Sequence, residues 1–103
     1  MSKVYHGQRC EDKNLVLVHE GESSKELNPR YDLYNHSPNG FEWGYLGSGP
    51  AQLALAILAD CTDDEFACEY YQVFKEDVIA KIDINTREWE LTSAEILRAV
   101  SRY

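Results

Sequence analysis

The spacing of apolar residues changes along the chain, and each change marks an element. Residues 3–19 read as two strands, "KVYHGQRC" and "NLVLVHE", separated by the polar Glu11-Asp12-Lys13-Asn14 of a hairpin loop. Leu15, Val16, Leu17 and Val18 leave almost no polar position in the second strand, which predicts a strand that is central or covered on both faces. "GESSKELNPR" breaks the pattern with Gly21, two serines and Pro29, and reads as a surface connection. In "SPNG", Pro38 and Asn39 suit the centre of a type I turn closed by Gly40. Its flanks, "YDLYN" and "FEWGY", read as two further strands or as irregular segments laying rings over the sheet edge.

The period then becomes helical. Pro50 fits the first position of a helix, where its missing N–H costs nothing, and Ala51 through Ala59 are apolar all round except at Gln52. Such a helix belongs at the centre of a core. Thr62 with Glu65 predicts a capping box opening a second helix over about 63–80, with Phe66, Ala67, Tyr70, Tyr71, Phe74 and Val78 on its core face. Residues 81–88 return to polar character, "WEL" reads as a short extended piece, and Thr92 with Glu95 predicts a capping box for a short C-terminal helix carrying Ile96, Leu97 and Val100. The expected fold is α+β: an N-terminal antiparallel sheet of two to four strands over a buried helix, with two further helices.

Candidate chemistry centres on "GSGPAQ". A helix start offers unpaired N–H groups and partial positive charge, which suits a small anionic or nucleotide-like ligand near Gly47, Ser48, Gly49 and Gln52. Arg30 would add charge, His36 a hydrogen bond, and Trp43 and Tyr45 stacking surfaces. Trp43 and Tyr45 share one side of "FEWGY" with Phe41 if that stretch is extended, and Gly44 would let another backbone approach. The structural alternative is that the glycines serve the turn, Ser48 or Gly49 caps the helix, and Gln52 reaches back to close a capping box. No Lys-Ser/Thr pair follows the glycines, so the stretch is not a nucleotide-binding P-loop. Ser48 also lacks the Gly-x-Ser-x-Gly setting of a nucleophile, so no catalytic residue is assigned. His36 in His36-Ser37-Pro38 reads most simply as a turn residue facing water.

Charge supplies a second candidate. The 103 residues carry 18 acidic against 10 basic side chains, a formal charge of −8, which repels nucleic acid. Asp60, Asp63, Asp64 and Glu65 cluster where they suit a helix start, or where they would dock on a basic surface of a host protein. With 44% apolar and 12% aromatic residues the chain is expected to fold as one domain, 1–103. Cys10, Cys61 and Cys68, like His6, His19 and His36, have no metal-site spacing, so neither a metal nor a cofactor is expected. Cys61 is expected to pack at the helix end. The start has no leader-like apolar region and no run reaches membrane-spanning length, which predicts a reduced, cytoplasmic protein without a membrane role. A small aromatic-rich sheet also leaves an edge that a second copy could cover as a homodimer.

The stretch "SPNGFEWGYLGSGPAQLALAIL", the later "FK" and the ending W-x-L-T-x-x-E-I resemble a family of small bacterial and phage proteins known as a domain of unknown function. The resemblance runs from about Leu27 to Ile96. It implies a setting among mobile elements and their hosts, where binding roles in defence and counter-defence are common, and it transfers no catalytic residue.

Overall fold

A computed structural model describes residues 2–103. Four antiparallel strands, β1 (Val4–Arg9), β2 (Asn14–Glu20), β3 (Ser23–Glu26) and β4 (Glu88–Thr92), form one sheet in the order β3-β2-β1-β4. Helices α1 (Ser48–Cys61), α2 (Asp64–Asp77) and α3 (Ser93–Val100) complete the α+β architecture, with a 3-10 turn at Ile79–Lys81. Tyr5, Val16 and Val18 of the sheet join α1 in one core cluster with Trp43, Phe74, Ile79 and Ile96.

The hairpin, the Pro38-Asn39 turn and the final capping box form as expected. Gly40 N–H donates to Ser37 O at 3.2 Å, and Thr92 Oγ1 accepts from Glu95 N while the Glu95 carboxylate accepts from Thr92 N. α1 is buried continuously from Gly49 to Ala59, as an apolar surface on every side requires.

Several expectations are corrected. Residues 23–26, assigned to a surface connection, form the edge strand β3, whose short, fully exposed, charged sequence blunts an edge rather than filling a core. β2 is central, as its apolar run predicts, although Leu15 and Leu17 on its second face are only half-buried and lie outside the core cluster. Of the two readings of "YDLYN" and "FEWGY", the irregular one holds; without an extended strand, Phe41 and Trp43 turn inward while Tyr45 is 42% exposed. α1 begins at Ser48 with Gly47 as its N-cap, which puts Pro50 third, still inside the first turn where no N–H is needed. Neither Ser48 nor Gly49 caps it. α2 ends at Asp77, short of residue 80, and its cap is Asp63, whose carboxylate accepts from Phe66 N at 2.8 Å. Thr62 is consumed by the preceding helix, donating to Leu58 O at 2.6 Å, which leaves Asp63 as the nearest acceptor.

Candidate functional site

Residues 27–47 contain no helix or strand, and a loop of that length holds one conformation only if its polar backbone finds partners. Gln52 supplies them. Its side chain, 0% exposed, donates from Nε2 to Pro29 O at 2.6 Å and Tyr34 O at 3.0 Å, and accepts at Oε1 from His36 N at 2.7 Å and Ser37 N at 3.2 Å. The amide uses both donors and both lone pairs of its oxygen. Gln52 therefore does not reach back to the helix start; it clasps the loop to the middle of the core.

The clasp sets the neighbouring side chains. His36 is half-buried rather than facing water, with Nε2 2.7 Å from Tyr71 OH, and Tyr34 stacks on Tyr71 with ring centres 5.9 Å apart. Trp43 is 0% exposed, meets Trp89 edge to face at 5.4 Å and carries the Arg9 guanidinium 4.3 Å above its ring. Arg9 is held there by Glu42 Oε1 at 3.0 Å and Ile84 O at 2.7 Å. Gly44 has φ +88° and lies directly against the Ile84 backbone, the close approach that a glycine permits.

The ligand set read around "GSGPAQ" is not gathered at one point. Ser48 is exposed at the start of α1, with Tyr45 folded over Gly47, and Glu42 lies against Gly49 so closely that a Cβ there would be 2.6 Å from Glu42 Cβ. Arg30 follows Pro29, whose carbonyl Gln52 holds, but its guanidinium points away from the start of α1 and toward Asp64 at the start of α2. Its φ of 59° and a bond from its N–H to Asn28 Oδ1 at 2.8 Å turn the side chain toward Asp32 and Asp64, each gripped by two guanidinium nitrogens at 2.8–3.0 Å. These hydrogen bonds hold both carboxyls below the usual aspartate range and raise the Arg30 pKa.

The acidic cluster also divides. Asp60 accepts from Tyr5 OH at 2.7 Å and pairs with Lys3 at 3.1 Å, fastening β1 to the end of α1. Burial, then the bond to Asp60, pushes the Tyr5 hydroxyl well above its ordinary pKa, and burial raises the neighbouring half-buried Cys61 thiol. Asp63 caps α2 and Asp64 serves Arg30. Glu65 makes no ion pair among the described residues.

Around Glu65 the start of α2 forms an open concavity of about 320 Å³ lined by Asp63, Glu65, Phe66, Glu69 and Tyr70. The Phe66 and Tyr70 rings are 4.7 Å apart, backed by Tyr103, and the charge of Glu69 raises the Tyr70 pKa. Phe66 and Tyr70 pack against the core as their spacing predicts, and their remaining exposed edges face this concavity beside Glu69, which the sequence reading did not single out. The signal was present in two interleaved i, i+4 pairs, Glu65/Glu69 and Phe66/Tyr70, which set carboxylates beside rings on a helix surface. Such a surface suits a guanidinium or ammonium group.

No group of three or more His, Cys, Asp or Glu side chains among the described residues is placed to hold a metal ion. No helix among them is long and apolar enough to cross a membrane. The chain belongs to the family of unknown function DUF6166, which matches residues 5–102. No curated protein and no solved structure matches it.

Proposed function

We propose that the chain is a non-catalytic binding module that docks basic side chains of a partner protein at the start of α2. The observation that carries this reading is the concavity in which Asp63, Glu65 and Glu69 stand beside Phe66 and Tyr70. An arginine or lysine entering it would exchange water for carboxylates and ring faces together. The net charge of −8 adds long-range attraction, which accelerates encounter with a basic surface. A host protein of the bacterial or phage setting that the resemblance implies is the partner class we favour, in a reducing cytoplasm suited to three free cysteines.

The test is calorimetry with a synthetic arginine-rich peptide at low and high salt. Binding should weaken steeply with salt, and the Glu65→Lys/Glu69→Lys double variant should bind at least about fivefold more weakly. Equal affinity for variant and parent would contradict the proposal.

A small anionic ligand at the start of α1 is the second reading, and one observation favours it: no side chain caps that helix, and Ser48 is exposed beside it. The Glu42 stem packs closely against Gly49, and Arg30 is engaged elsewhere, so the α2 start is preferred.

A further inference from the structure

Only one face of the sheet meets the core. On the other, Val4, His6, Gln8, Leu15, Leu17 and His19 form a half-buried panel, with the apolar members outside the core cluster. Strand register aligns this panel in rows: Glu26, Leu17, His6 and Glu90 cross all four strands, and Leu15, Gln8 and Glu88 make the row beside them. The centre, on β1 and β2, is aliphatic and imidazole; both edge strands carry carboxylates. Three strand spacings of about 4.8 Å put Glu26 and Glu90 roughly 14 Å apart, and an α-helix with its side chains is about 10–12 Å across.

We propose that this outer face docks an amphipathic helix of a partner protein, seated with aliphatic side chains over Leu15 and Leu17 and with Lys or Arg on both shoulders. One shoulder reaches Glu26, and the other reaches Glu88 and Glu90. Charge complementarity selects this occupant over a second copy of the chain, whose own carboxylate margins would meet these. Glu88 is already drawn over the panel by His6 Nε2 at 2.9 Å and Gln8 Nε2 at 3.4 Å. Among the described residues Glu26 pairs only with Lys13, at 3.6 Å between two largely exposed side chains, so a partner's lysine can replace it at little cost. A helix laid here covers the outer face of the sheet as α1 covers the inner one. The face lies across the sheet from α1 and uses none of the α2 carboxylates, so it stands or falls apart from the function proposed above.

The test is an amide-shift titration of the full chain with two synthetic helical peptides sharing one leucine face, one with lysine shoulders and one with glutamate shoulders. The lysine peptide should shift Val4, His6, Leu15 and Leu17, and the glutamate peptide should shift none of them. Glu26→Lys/Glu88→Lys/Glu90→Lys should weaken the lysine peptide at least tenfold, and the milder triple change to Gln several-fold, while Glu65→Lys/Glu69→Lys stays within twofold. Shifts confined to α2, affinity unchanged in both triple variants, or a homodimer that buries this face would overturn the proposal.

Discussion

Helices α1 and α2 are equally long and adjacent, and they are stabilised in opposite ways. α1 has no side-chain cap, no acid in its first turn and no base in its last, and it is buried along nearly its whole length. α2 carries the Asp63 cap, Asp64 and Glu65 in its first turn and Lys75 in its last, with only Ala67, Tyr71 and Phe74 buried. A helix inside a core needs no surface chemistry because packing holds it; a helix at the surface uses caps and charges, and the charges it does not spend on itself are open to a partner. The difference underlies the proposed site: the glycine-rich stretch before α1 packs against Glu42 and Tyr45, whereas Glu65 and Glu69 of α2 stand exposed.

The largest expected effect removes the polar feature that α1 does have. Gln52→Leu keeps the volume but leaves two loop carbonyls and two loop N–H groups without their partner, and should lower stability by about 3 kcal/mol in urea denaturation. A loss below about 1 kcal/mol would mean that the loop is held by Trp43 and Phe41 alone. At α2 the comparison predicts a smaller cost. Asp63→Ala removes one cap and should cost about 1 kcal/mol, whereas Ser48→Ala, at an exposed position that caps nothing, should be close to neutral.

The smallest effect is electrostatic. Asp32 and Asp64 are held below their ordinary value of 3.8 by Arg30, so their contribution is complete above that value and is lost as the pH falls through it toward the lower folded values. Because both carboxylates are at the surface the contribution is modest. Arg30→Gln should therefore lower stability slightly across the neutral range and leave it unchanged at the acid end, so that the fall of the stability-against-pH curve below about pH 4 is shallower than in the parent.

What could be read from the sequence was the local chemistry. The β1–β2 hairpin, the Pro38-Asn39 turn and the Thr92–Glu95 box each involve residues a few positions apart, so their signals are complete within a short window. "WEL" reads as extended and forms β4, but its partner β1, 80 to 88 residues away, does not show in a short window, and "SSKE", with little strand character of its own, becomes β3 only by pairing with β2. Gln52 misled for the same reason. A lone glutamine near a helix start can serve its own backbone or a distant loop, and only the fold brings Pro29, Tyr34, His36 and Ser37 around it. Thr62 reads as the cap of α2 from its spacing to Glu65, and only the bond that commits its hydroxyl to Leu58 O in α1 passes the cap to Asp63. The acidic cluster was visible, but not that Asp60 and Asp64 already serve Tyr5, Lys3 and Arg30.

The contrast between the two helix starts can be measured in one labelled sample. Amide shifts would be recorded while the full chain is titrated first with inorganic phosphate and then with an arginine-rich peptide. The account predicts no saturable shift at Ser48 or Gly49 with phosphate, and saturable, salt-sensitive shifts at Glu65, Phe66, Glu69 and Tyr70 with the peptide. Saturable phosphate shifts at Ser48 and Gly49, with the start of α2 unmoved by the peptide, would contradict it.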